Sequence, residues 1–185
     1  TKNANDGLAM LATIENATND VTDMLQRVRE LAVQAANDTN STTDRQYLQT
    51  EVNSLMKEIN RVSTQTVYNN QPVLDGSRSG LIQTGTEAGQ TTAFSIASID
   101  TDTLGLTTGA IATAGPVDVF QTTNASGVMT LATAVGAISV LNATAAAAAL
   151  TKISTAIEQV ASNRAGYGAL SNRLEYTAYN LMNVA

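Results

Sequence analysis

The chain has 185 residues, enough for one domain or for a long helical body with an appendage, and carries a net charge of −6. It has no cysteine and no histidine, which removes disulfides, thiolate and imidazole metal ligands, and the commonest general base. The acidic balance speaks against nucleic acid, and no stretch has the roughly 18 consecutive apolar residues of a membrane span. Aromatics are 4% and tryptophan is absent, so the 43% hydrophobic fraction suits thin helix seams of Ala, Leu, Ile and Val better than a bulky core.

Met10, Ile14, Ala17, Val21, Met24, Val28, Leu31 and Ala35 recur at alternating steps of four and three. That spacing is a heptad seam and predicts a helix over about 3–37, which at 1.5 Å per residue is a rod of roughly 50 Å. Gly7 is the only glycine before residue 76, and no proline precedes Pro72. Asn37 to Ser41 form a cluster of turn residues, after which Thr43 or Asp44 is expected to cap a second helix with Leu48, Val52, Leu55, Ile59 and Val62 on its seam. A short loop between two apolar-faced helices implies an antiparallel αα-hairpin. Asn69-Asn70 before Gln71-Pro72 reads as a turn, because Asn tolerates the left-handed region.

From residue 66 to 149 the character changes to Thr, Ser, Gly and Ala, with no basic residue between Ser79 and Thr151. Residues 81–85 with 91–96, and 117–120 with 128–131, read as two β-hairpins. Ala143 to Leu150 starts or feeds a return helix with a third seam from Leu150 to Ala185, apolar except at Arg164 and Ser171. Gly166 and Gly168 beside those exceptions predict close packing there. The fold class expected is mainly α with a β-rich insertion. It is a long antiparallel bundle of two N-terminal helices and the C-terminal helix, with β-hairpins and a small outer subdomain. As domains this gives a discontinuous rod of 1–76 and 150–185, a hairpin region of 77–106, and a variable outer subdomain of 107–149.

Asn3-Ala4-Asn5-Asp6-Gly7, LQRVRELAVQAANDTNS (25–41) and EINRVSTQTVYNNQPVLDG (58–76) resemble the N-terminal region of bacterial flagellin. RAGYGALSNRLEYTAYNLMN (164–183) resembles its C-terminal helix, and the stretch from Gly85 through Ile99-Asp100 to Leu104-Gly105-Leu106 resembles its hairpin region. The extreme terminal helices that line the family's inner tube have no counterpart here, and residues 107–149 match no known pattern. The resemblance implies a structural filament subunit, exported and self-assembling outside the cell. Its partners would be other subunits, an export chaperone, a filament cap and the innate immune receptor for flagellin, with neither nucleic acid nor membrane among them. A flagellar hook-filament junction protein shares the terminal pattern, and a flagellin-like surface protein that binds a polysaccharide or host glycan is the second alternative.

The resemblance assigns Arg27, Leu31 and Glu51 to the surface that faces neighbouring subunits or the receptor. Arg29, Glu30, Arg164 and Arg173 are the helix-register candidates. Against this stands ordinary pairing of Arg27 and Arg29 with Asp23 or Glu30 on a solvated face; Arg164 and Arg173 would bridge to Glu15 or Asp20 on the first helix, with an ordinary solvated position as the alternative. Asp100-Thr101-Asp102 lacks the further ligands of a calcium loop and reads as a turn or cap. Asn142-Ala143-Thr144 is a glycosylation sequon on paper, and the outer segment's Ser and Thr residues permit O-linked sugar. Residues 77–149 offer only Phe94 and Phe120 as sugar platforms. Glu87, Asp100, Asp102 and Asp118 have nothing beyond their presence to mark them as catalytic. No enzyme activity, cofactor or metal is therefore expected, and the metallopeptidase insert known in some flagellins is excluded by the missing histidines.

Overall fold

A computed structural model describes residues 2–83, 89–106, 121–123, 129–131 and 138–184, with the backbone alone described at 121–123, 129–131 and 181–184. Helix α1 runs Lys2–Ala35. It buries Leu11, Ile14, Val21, Leu25, Val28 and Leu31, each no more than 1% exposed. Leu25 takes the seam position expected of Met24, which is half-buried. The Thr13, Thr18 and Thr22 hydroxyls donate to carbonyls four residues back, so the fully buried Thr18 needs no partner outside its own helix.

The end of α1 is closed by side chains. Arg45 Nε donates to Ala35 O at 2.9 Å and Nη2 to Asn37 O at 3.0 Å, while Asn40 Nδ2 donates to Gln34 O at 2.6 Å. A cation at this end also meets the negative pole of the helix. Helix α2, Thr42–Gln65, then starts from Ser41 rather than from the expected Thr43 or Asp44. Ser41 Oγ accepts from Asp44 N, and the Asp44 carboxylate accepts from Ser41 N, a reciprocal capping box that places Asp44 one turn inside the helix. Met56 and Ser63 are buried on α2, while Leu55 and Val62 sit half-buried at the edge of the seam.

Strands β1 (Val67–Tyr68) and β2 (Gln71–Pro72) pair around Asn69 and Asn70, whose φ values of 50° and 58° define a two-residue turn of the primed type. Strands β3 (Ser79–Gln83) and β4 (Thr91–Ser95) are antiparallel with Ile82 opposite Thr92. This hairpin begins two residues before the expected Leu81, and residues 84–88 lie outside the described residues. Strands β5 (Gln121–Thr123) and β6 (Met129–Leu131) form a third antiparallel pair. The expected strand at 117–120 and the rest of 107–137 lie outside the described residues. Helix α3, Ala143–Val184, returns along the rod over roughly 60 Å. Asn142 caps it, accepting Ala145 N on Oδ1 at 2.7 Å, so the sequon asparagine holds a helix start.

α1 is the middle helix, packed most extensively on α3 and less on α2. The α1–α3 pair is antiparallel, with Leu174 beside Gly7 at one end of the rod. The loops and hairpins from 66 to 106 seal the remaining face with Val73, Leu74, Ile96, Ile99, Leu104 and Leu106. Three polar side chains hold these segments by their backbone, and a fourth, Gln49, does the same for the segment at 138–140. Ser63 Oγ donates to Leu74 O at 2.8 Å, and Asn60 Oδ1 accepts from Thr101 N at 2.8 Å. Tyr167 Oη accepts from Ala97 N at 3.2 Å. Gln49 Oε1 accepts from Val140 N at 2.7 Å while its Nε2 donates to Ile138 O at 3.2 Å.

The close approach expected at Gly166 and Gly168 does not occur, since a Cβ at either position meets no atom within 4 Å. It occurs instead at Gly7, where a Cβ would lie 2.8 Å from Ile82 Cδ1 and 3.1 Å from Leu174 Cδ1. Gly7→Leu should therefore destabilise the chain by about 1–3 kcal/mol through overpacking. Gly166→Ala should stabilise it by roughly 0.5–1 kcal/mol through helix propensity. Urea denaturation of the two variants checks both signs, and equal effects would contradict this account of the helix junction.

Candidate assembly surface

Arg27 projects from α1 toward α2. Its Nε donates to Glu51 Oε1 at 2.9 Å, Nη2 lies 2.8 Å from the same oxygen, and Nη1 reaches Glu30 Oε2 at 3.1 Å. These hydrogen bonds, from Glu51 first and Glu30 second, raise the guanidinium pKa above its ordinary value. The partner is thus Glu51 across the helix pair and Glu30 one turn on, not Asp23. All three side chains are about half exposed or more, so salt screens the triad and it supplies little stability. Leu31, grouped with them in the sequence reading, is 1% exposed and packs inside the rod, so it presents no surface in this conformation.

Among the described residues Arg29, Arg164 and Arg173 make no ion pair, so the bridges from α3 to Glu15 or Asp20 do not form within the chain. Arg29 and Arg173 are exposed, whereas Arg164 is half-buried with its Nε shut from solvent and unpartnered. Tyr47, Leu81, Tyr176 and Tyr179 are large side chains left facing out. The sequence reading missed Arg45, Gln49, Asn60 and Ser63, whose roles depend on backbone atoms brought to them by the chain's return. Arg45 stands within reach of a helix end only once the αα-hairpin is closed.

Asp100 behaves as a turn residue. Its carboxylate accepts from Ser98 Oγ at 2.6 Å, Thr103 N at 2.6 Å and Thr103 Oγ1 at 3.2 Å. Partial burial pushes this carboxyl up, but the Ser98 and Thr103 hydrogen bonds outweigh it and leave the pKa below its ordinary value. Among the described residues no group of acidic side chains is arranged to hold a metal, and no helix is long and apolar enough to cross a membrane.

A narrow rod of antiparallel helices, with its small insertion held at the side and charged residues along its flanks, defines an elongated structural subunit. Residues 1–79 match the bacterial flagellin N-terminal helical region. The chain is 46% identical over 106 residues to flagellin 1 of Proteus mirabilis, covering 57% of this chain and 29% of that one. It is 43% identical over 107 residues to the flagellin of Serratia marcescens, covering 58% and 30%. The crystal structure of Bacillus cereus flagellin superposes with a TM-score of 0.71 at 27% identity, covering 97% of this chain and 88% of that one. FliC from Burkholderia pseudomallei shares the fold, with a TM-score of 0.69 at 21% identity, covering 90% and 99%. The chain is thus similar to bacterial flagellins in its first 79 residues and in its fold, and its matched stretch spans less than a third of the length of these curated relatives.

Arg45→Ala should cost about 1.5–3 kcal/mol, because two helix-end carbonyls lose a charged donor in a part-buried site. Thermal unfolding followed by circular dichroism reads this loss, which Glu51→Ala should not reproduce. Acid should weaken the fold in a definite direction. Asp44, Asp75 and Asp100 sit below their ordinary 3.8, and Glu58 below 4.5, through hydrogen bonds from Ser41, Ser77, Ser98 with Thr103, and Arg61 respectively. A depressed folded-state pKa means the unfolded chain takes up protons first. Their stabilisation is therefore complete above the ordinary carboxylate range and is lost as pH falls through it, which denaturation midpoints from neutral pH down to about pH 2 will show. Burial raises the Tyr167 phenol above its ordinary 10 against the opposing bond from Ala97. That contribution is intact below pH 10 and disappears as pH climbs beyond it.

Proposed function

We propose that this chain is the rod portion of a subunit of the bacterial flagellar filament, assembling outside the cell with copies of itself to drive motility. The observation that carries this reading is the superposition of nearly the whole chain on Bacillus cereus flagellin, together with the flagellin N-terminal match over residues 1–79. A rod of this shape has too little cross-section to bury a large core, so lateral packing against copies is the natural way to cover its flanks.

In this reading the domains are the discontinuous rod of 1–76 and 150–185, the hairpin region of 77–106 and the outer subdomain of 107–149. Arg27, Glu51 and Glu30 fix the register of α1 on α2 and so shape the flank offered to a neighbour or to an innate immune receptor, with Leu31 supporting them from beneath. Arg29 and Arg173 supply exposed charge to that flank. An export chaperone and a filament cap are the further partners. The role is structural rather than catalytic, and nothing observed favours a glycan-binding surface protein or a junction protein.

The test is to graft these 185 residues in place of the matching core of Proteus mirabilis flagellin and to image the product by negative-stain electron microscopy. Long uniform filaments are expected. A graft that folds, by its helical circular dichroism, yet stays monomeric under polymerising conditions would overturn the reading.

A further inference from the structure

Arg78 and Arg164 are the half-buried guanidiniums among the described residues that have no acidic partner; Arg78 Nη1 donates to Gln71 Oε1 at 2.9 Å, whereas Arg164 holds no acceptor at all. Its position on α3 borders the buried stripe of Val160 and Tyr167, and its Nε is enclosed without an acceptor. The contrast with other arginines is chemical. Arg27 and Arg61 hold carboxylates, and Arg45 holds two carbonyls and approaches Asp38 at 3.8 Å. An enclosed N–H without an acceptor is costly, and a guanidinium is built to take a carboxylate with two donors at once.

The acids that could supply it lie on the chain's own outer surface. α1 turns Asp20 and Asp23 to solvent on the side away from its buried stripe, and among the described residues neither has a cation or hydrogen-bond donor. Neither acid makes an ion pair with α3 of the same chain. They can reach α3 of an adjacent copy. In a chain of net charge −6 with ten basic residues, a vacant guanidinium on one flank and two unneutralised carboxylates on another form a complementary pair of surfaces.

We infer that Arg164 is an intermolecular contact residue, whose guanidinium receives the carboxylate of Asp20 or Asp23 from α1 of a neighbouring copy. The two surfaces are different, so the contact is heterologous and repeats from copy to copy instead of closing a dimer. Buried on assembly, the pair gives the outer nitrogens of this guanidinium a carboxylate and removes unpaired charge from both flanks. The inference rests on the filament reading and adds to it the identity of a lateral contact.

The test uses the graft into Proteus mirabilis flagellin under assembling conditions, the parent being that graft without further substitution. Arg164→Glu should raise the critical concentration for assembly by about tenfold or more, since a like-charge contact replaces an attractive one, while monomer helicity stays unchanged. Combining it with Asp20→Arg or Asp23→Arg should recover assembly to within about threefold of the parent in one of the two cases. Because the chain has no cysteine, a second readout is direct. Copies carrying Arg164→Cys are co-assembled with copies carrying Asp20→Cys or Asp23→Cys and then oxidised. A disulfide-linked heterodimer from one mixture supports the contact. Parent-like assembly by Arg164→Glu, or assembled filaments with no heterodimer from either mixture, overturns it while leaving the filament reading standing. A parent chain that never assembles overturns both.

Discussion

The burial of α1 between its two neighbours is the constraint on which the rest of this rod depends. A helix with one partner needs a single apolar stripe, and α3 with its stripe through Ile153, Ala156, Val160, Tyr167 and Leu174 is of that kind. α1 serves α3, α2 and β3 at once, so its buried set widens to include Ala4, Gly7, Met10, Leu11, Ile14, Ala17 and Thr18 in its first half alone. Small residues are then required where partners converge. Gly7 shows the limit, because Ile82 from the sheet and Leu174 from α3 both press against the same turn. Thr18 shows the polar counterpart, a hydroxyl admitted to the core because its own helix supplies two acceptors.

A core this thin leaves the insertion from 66 to 106 with little to grip. The solution is to anchor backbone with side-chain amides and hydroxyls from the helices. Gln49 presents an acceptor and a donor to Val140 and Ile138 in the manner of a neighbouring strand, so the returning segment gains ladder-like bonds without a sheet to join. Ser63 and Asn60 do the same for Leu74 and Thr101, and Tyr167 for Ala97. These are interactions in which loss of one partner strands a buried backbone group. They make the attachment specific, since apolar plugs such as Leu74 and Ile99 fix depth but not register.

What the sequence disclosed, and what it did not, divides along the same line. The three seams were legible because periodic burial is a local property of a long helix with a single environment, and the Asn69-Asn70 turn was legible because two adjacent asparagines favour φ above zero. The heptad frame slipped by one residue at Leu25, where α1 contacts more than one neighbour and a strict repeat no longer describes the buried face. Ser41 is not singled out as the cap by sequence because four candidate residues, Ser41 to Asp44, stand in a row, and only the pairing with Asp44 selects among them. Gln49, Asn60 and Ser63 carry no signal in their surroundings at all. Each meets a backbone atom at least eleven positions away, and such meetings exist only after the chain has turned back. Leu31 is buried as its place on the seam predicts, and only the family resemblance, not its spacing, grouped it with the outward-facing Arg27 and Glu51.

Two features of α3 find no explanation within a single chain, and they point the same way. Gly166 and Gly168 sacrifice helix propensity in the middle of a 42-residue helix, although nothing among the described residues approaches closely enough to need the space. Arg164, one turn earlier, encloses a donor that nothing among the described residues accepts. Either alone is unremarkable, as helices tolerate a glycine and half-buried arginines often keep water. Together, on adjacent turns of one helix, a stretch without bulk and a cation without a counter-ion describe a surface shaped for something that comes close and brings an acceptor. A copy of the same rod meets both requirements, since α1 offers a helical flank with Asp20 and Asp23 on it. On the proposed filament reading, α3 is the helix that a neighbouring copy completes, while α1 is completed within the chain.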